Sequence, residues 1–173
     1  MKIKNVSIVL LVMMFLVACA PVATVSPRAD NFAFLFQASP CGPNPVNILD
    51  TSNSTLVYTP LGDTTSITIS LQLTYDELES VYQKAISIGF FDYPSAFLIP
   101  DDQVLGYQAP ASSYQLSMTN GDMTNSVSWT DDTMTKPGYT KADQLRELMN
   151  LINEKIQAHL EIQQLPGPKA GCA

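Results

Sequence analysis

Histidine is almost absent: His159 is the only one in 173 residues. Acyl transfer by a Ser-His-Asp or Cys-His arrangement needs an imidazole base. Neither a Gly-x-Ser-x-Gly elbow nor a Cys-Gly-x-Cys motif accompanies this one. His159 therefore reads as a solvated residue near a helix end, where its charge suits the C-terminal dipole. Basic residues are also scarce, 9 Lys+Arg against 16 Asp+Glu, for a net charge of −7. A nucleic-acid partner, which demands a basic surface, is excluded on that ground. No apolar run reaches the length of about 20 residues needed to span a bilayer as a resident helix. There is no internal repeat and no low-complexity block. The Asp-x-Asp-x-Asp spacing of a calcium loop is missing too. The pairs Asp101-Asp102 and Asp131-Asp132 would have to converge to hold calcium, or to act as paired glycosidase carboxylates. They read as polar turn residues, and no metal, cofactor or catalytic residue is assigned.

What is present begins with an address. Lys2 and Lys4 form a charged start, and Ile8 to Val17 is a short apolar run of the kind found in removable export signals. Leu16-Val17-Ala18-Cys19 resembles the lipobox of bacterial lipoproteins, in which the cysteine becomes the lipidated N-terminus. The resemblance implies a signal peptide over residues 1–18, lipidation of Cys19 and a membrane held through that lipid, with acyl chains contributing about 0.8 kcal/mol per buried methylene. An uncleaved anchor, or a secretory signal cut elsewhere, are the alternatives. Loss of residues 1–18 removes Lys2 and Lys4 and no acid, leaving 7 bases against 16 acids, a net charge of −9. Residues 19–31 read as the lipidated cysteine and a short tether, 32–162 as one domain and 163–173, with Pro166, Gly167, Pro168 and Gly171, as an irregular tail.

Beyond Cys19 two cysteines remain, Cys41 and Cys172. An even remainder in an oxidising compartment suggests a disulfide closing most of the domain. Two separate thiols are the alternative.

Periodicity gives the elements. Phe32, Phe34 and Phe36 alternate, as on a strand with an aromatic inner face. Ser39 to Thr65, rich in Pro, Asn, Ser and Thr, reads as a long loop. In Ser66 to Leu73, Ile67, Ile69, Leu71 and Leu73 share one strand face. Thr74-Tyr-Asp-Glu77 is a capping box. Leu78, Val81, Tyr82, Ala85 and Ile86 then predict a helix over 75–88, stopped by Gly89. Ser112 to Thr119 and Met123 to Trp129 form a hairpin about Asn120-Gly121. That turn pairs Met118 with Met123, Leu116 with Asn125 and Tyr114 with Val127, and leaves Asn125 as the one polar residue on the apolar face. Trp129 reads as a core residue of this hairpin. Thr140 to Asp143 caps a second helix with a stripe of Leu145, Leu148, Met149, Ile152, Ile156 and Leu160, to about residue 161. The expected fold is α+β: an antiparallel sheet of about four strands with two helices on one face, in the order β-β-α-β-β-α.

Leu78 to Pro94, with its Gly89-Phe90-Phe91 after a short helix, resembles a recurring element of small exported bacterial domains, in which a polar hairpin and a closing helix follow. Over Leu71 to Leu160 the chain resembles uncharacterised bacterial lipoproteins and, more distantly, emfourin-type inhibitors of thermolysin-like metalloproteases. No inhibitory residue is carried over. The expectation is a cell-envelope lipoprotein, outside the cytoplasm, whose non-catalytic domain binds a protein partner. It would do so through the 39–65 or 94–111 loop, with Tyr107 and Tyr139 as exposed candidate contacts. An inhibitor of an exported protease and a structural envelope lipoprotein are the alternatives.

Overall fold

The computed structural model describes residues 27–42 and 46–172. The signal segment 1–18, Cys19 and residues 20–26 of the tether lie outside the described residues. The chain is α+β. Six strands, β1 (Ala33–Ser39), β2 (Asn47–Asp50), β3 (Thr55–Tyr58), β4 (Ile67–Ser70), β5 (Val104–Asn120) and β6 (Met123–Thr135), form one antiparallel sheet in the order β4-β3-β2-β1-β5-β6. Helix α1 (Tyr75–Ser87) sits between β4 and β5; α2 (Thr140–Gln157) and a short α3 (Leu160–Gln163) close the chain.

One cross-strand row explains the sheet. Ile69, Leu56, Leu49, Phe36, Leu116 and Val127 are successive partners across all six strands. Side chains directly opposite one another share a face, so this apolar row lies wholly on one side. Neighbouring rows place Phe34 with Met118 and Tyr114 with Trp129 on that side. It packs in one cluster with Val81, Tyr82 and Ala85 of α1 and with Leu145, Leu148, Met149 and Ile152 of α2. The opposite rows carry mainly Ser, Thr and Gln, with Leu35, Ile48 and Val57 among them, as in antiparallel sheets with one wet face.

The expectation of about four strands is corrected to six. The supposed 39–65 loop contains β2 and β3, a hairpin turning at Thr51–Ser54 with Ser54 left-handed at φ 51°. Both strands are four residues long, too short for alternation to register.

The β5–β6 turn is likewise corrected. Asn120 pairs with Met123, Met118 with Asn125 and Leu116 with Val127, so the two turn residues are Gly121 and Asp122. Glycine at the first central position, φ 63°, is what a II′ turn requires. Asn120 is used instead as a buried ladder residue. Its Oδ1 accepts from the Ala29 amide at 2.7 Å and its Nδ2 donates to the Tyr82 hydroxyl at 3.4 Å. A shift of two residues leaves every side chain on its expected face. Residues 27–31 are held to the domain by this contact, by Tyr82 donating to the Pro27 carbonyl and by Arg28 paired with Glu79 at 3.0 Å.

The capping box on α1 is present: the Glu77 amide donates to Thr74 Oγ1, and the Thr74 amide to the Glu77 carboxylate at 2.7 Å. Gly89, at φ 69°, follows the helix as a left-handed stop. Thr140 is the first residue of α2 rather than its cap; Tyr139 is the cap and supplies no side-chain bond. Asp143 pairs with Arg146. The second helix ends at Gln157, and a break at Ala158-His159 turns Leu160 to solvent, so Leu160 leaves the expected stripe.

Cys41 and Cys172 stand at disulfide distance, with Cα atoms 5.4 Å apart. The tail reaches Cys172 along the β3–β4 connection, where Lys169 and Ala170 donate backbone bonds to the Leu61 carbonyl and Tyr58 donates to that of Pro166.

Candidate functional site

The 94–111 segment is largely ordered secondary structure. Residues 95–97 run beside β6, with the Phe97 amide donating to the Ser128 carbonyl at 2.9 Å and the Ser128 amide to that of Ser95 at 2.8 Å. Phe97 anchors this strip by packing edge-on against Trp129, ring centroids 5.9 Å apart. A 3₁₀ turn at Asp101–Gln103 then leads directly into β5, which begins at Val104. The β5–β6 ribbon therefore continues well past Ser112, with irregular pairing between Tyr107 and Ser112. Bulges of this kind bend the strand that carries them.

Strip, turn and ribbon bound a cavity of about 540 Å³ at the β1–β5–β6 end of the sheet. The apolar-side row Ala38–Tyr114–Trp129 lines it, and its polar floor is two wet-side cross-strand rows, Ser39–Ser113–Thr130 and Gln37–Gln115–Ser128. These side chains offer hydroxyls and amides and no charge. Among the described residues the charged lining residues are Asp101 and Asp132, and no Lys, Arg or His lines it. Thr133 donates to the Asp132 carboxylate at 2.7 Å, while the Asp101 carboxylate has no side-chain partner among the described residues. Ser39 is 2% exposed, and its Oγ has no hydrogen-bond partner there. The indole Nε1 of Trp129, also a lining residue, is unpartnered as well. Leu98 and Tyr107 stand at the rim, 80% and 74% exposed, and Leu105 and Met134 lie exposed on the same ribbon.

The ribbon is tied to the helical layer from behind. Arg146 of α2 donates to Asp131 Oδ1 at 2.7 Å and to the Thr133 carbonyl at 2.8 Å, and its guanidinium lies 5.5 Å from the Trp129 ring centroid. Asp131, expected in a loop, is thus a strand residue committed to an ion pair. One acid from each expected pair, Asp101 and Asp132, does reach the same cavity. Among the described residues no three His, Cys, Asp or Glu groups are placed to hold a metal ion.

The other candidates separate. Tyr107 lines the cavity; Tyr139 is half-buried, packs on the core and does not line it. Burial, and then the Asp102 carboxylate, push the Tyr139 phenol above its ordinary value. His159 is not a solvated helix-end residue: it sits in the break before α3, its side chain 17% exposed, with Nε2 3.2 Å from Glu77 Oε1. Burial raises the Glu77 carboxyl, but the Thr74 amide and hydroxyl together with His159 outweigh it and hold it below the usual range. Sequence reading missed the floor, because its six residues come from three strands whose register had to be known first.

Chemically, the arrangement can hold a ligand by neutral hydrogen bonds on one side and by carboxylates and apolar rim contacts on the other. Compared with known proteins, the chain matches no family model, and no curated protein matches it. Among the described residues no helix is long and apolar enough to cross a membrane.

Proposed function

We propose that this protein is a lipid-anchored component of the bacterial cell envelope whose domain binds a protein partner without catalysis, using the cavity beside β5 and β6. The observation that carries the reading is the pairing of an uncharged hydrogen-bonding floor with exposed Leu98 and Tyr107 at its rim. Aromatic and Met side chains are enriched at protein interfaces, and exposed apolar groups gathered at a polar concavity mark interaction sites. The anchor rests on the Leu16 to Cys19 motif. A Cys19→Ala chain is expected to lose acyl mass and leave the detergent phase.

The test of binding replaces Tyr107 with a photo-crosslinking residue in the native envelope, with exposed Tyr75 as the control position. One dominant adduct at 107 and none at 75 is the expected result. No adduct at 107, or equal adducts at both, removes the reading. The order of α1, Gly89-Phe90-Phe91, hairpin and α2, on which the resemblance to protease inhibitors rests, favours an exported protease as the partner class. Stoichiometric inhibition of a thermolysin-like protease by the whole chain is the corresponding measurement.

A further inference from the structure

We infer that the cavity receives a lysine or arginine side chain of a partner polypeptide, an inference that rests on the binding reading above and names its occupant. The charge pattern is the first reason. Among the described residues two carboxylates, Asp101 and Asp132, line the cavity with no base beside them, and the Asp101 carboxylate is unpaired. The chain as a whole is acidic, at −7, so a basic partner is also drawn in at longer range. Acids alone do not make a site.

The second reason is Ser39. It is 2% exposed, its hydroxyl has no partner, and strand pairing puts it in the same row as Ser113 and Thr130 on the cavity floor. A buried hydroxyl without a partner carries a desolvation penalty that a ligand's hydrogen bond relieves. An ammonium or guanidinium group supplies three to five donors. It can therefore serve a floor hydroxyl and a rim carboxylate together, with its aliphatic stem along Leu98 and Tyr107.

The occupant is a side chain on a polypeptide rather than a free small cation because the rim is apolar and extends along the ribbon to Leu105 and Met134. A solvated cation gains nothing from that surface.

The test is amide chemical-shift mapping of the whole isotopically labelled chain in micelles. The probes are blocked heptapeptides, identical except for a central Lys, Arg, norleucine or Glu, and an uncharged N-acetylglucosamine oligomer. The Lys and Arg peptides are expected to shift Ser39, Ser113 and Thr130 and to bind at least about tenfold more tightly than norleucine. The double variant Asp101→Asn, Asp132→Asn is expected to erase that difference while keeping its own spectrum dispersed, which separates loss of charge from loss of fold. Equal binding of Lys and norleucine peptides overturns the basic-side-chain inference and leaves the cavity as a binding site. Shifts from the glycan alone overturn it in favour of a saccharide. If no probe perturbs the floor residues the inference fails, and if Tyr107 also yields no adduct in the envelope the binding reading fails with it.

Discussion

Asn125 Nδ2 donates to the Phe90 carbonyl at 2.8 Å, and the same amide donates to the Tyr93 carbonyl at 3.0 Å. This polar residue on the apolar face of the hairpin thus holds both ends of the Phe90–Asp92 3₁₀ turn that follows α1. Its Oδ1 accepts from the Ser126 amide at 2.9 Å, so the whole side-chain amide is used. Asn125→Leu removes the donors and strands the Tyr93 carbonyl, while that of Phe90 keeps the Tyr93 amide at 3.1 Å, which should lower stability by about 1–3 kcal/mol. Asn125→Asp should cost at least as much, because a carboxylate offers no donor. Urea unfolding of both variants checks this. A loss below about 0.5 kcal/mol would mean water replaces the amide freely.

Arg146 and Asp131 make a second link, between α2 and the ribbon beneath the cavity. The pair is half-buried, with side-chain exposures of 26% and 13%, and it is geometrically tight. Hydrogen bonds to charged groups contribute about 1.5–3 kcal/mol. Arg146→Met should therefore destabilise the chain by about 2 kcal/mol, within that range. Trp129 is the only tryptophan and lies against the guanidinium, so its fluorescence reads the change directly. A double-mutant cycle with Asp131→Asn should give a coupling well above that of an exposed pair. Coupling near zero would place the stabilisation in the contacts of Arg146 with Thr133 and Trp129.

How far the sequence spoke depends on the length of each pattern. The helix over 75–87 was legible because its capping box, apolar stripe and left-handed stop all agree. Phe32, Phe34 and Phe36 were legible as one face because alternation persisted. In β2 and β3, Ile48-Leu49 and Leu56-Val57 flank Thr51-Ser-Asn-Ser54, a hairpin signal with only four residues on each side. The turn at Asn120-Gly121-Asp122 holds two competing hairpin dipeptides. The burial of Asn120 against Ala29 and Tyr82, a contact across distant sequence, decided for the second. Gly106 and Pro110 concealed the extension of β5. The candidate site was least legible. Asp101 and Asp132 were visible as acids, but the Ser39–Ser113–Thr130 row exists only once β1, β5 and β6 are in register.

Glu77 ties α1 to the end of α2 through His159 and sets an acid limit on stability. Its carboxyl is held below the ordinary value of 4.5 in the folded chain. A depressed folded value stabilises the fold above the unfolded value and loses that contribution as pH falls through the folded one. Glu77→Gln should therefore be less stable than the native chain at pH 7, and the gap should narrow progressively below about pH 4.5. Thr74→Ala removes the cap without removing the acid and should cost about 1 kcal/mol. Thermal melts of both variants between pH 3 and 7 separate the two effects. A pH-independent gap for Glu77→Gln would assign its role to packing rather than to charge.

The Cys41–Cys172 link closes a separation of 131 residues and fixes the tail across the β3–β4 connection. In the chain-entropy description a loop of that size contributes about 4 to 5 kcal/mol by restricting the unfolded chain. Most of the core lies between the two cysteines and does not touch the link, so the folded sheet should survive its loss. Cys172→Ser should lower global stability by about 2–5 kcal/mol. Its local signature should be faster amide exchange at Lys169 and Ala170, which bond the Leu61 carbonyl at 2.8 and 3.2 Å. Buried strand amides such as that of Val127 should exchange faster only in step with the global loss. Native-state hydrogen exchange distinguishes these. Uniformly faster exchange would make the link a global constraint alone. Selective release of 169–170 would show that it also clamps the tail. Unchanged exchange and unchanged stability would mean that the tail is held by Tyr58, Asp63 and Leu61 without it.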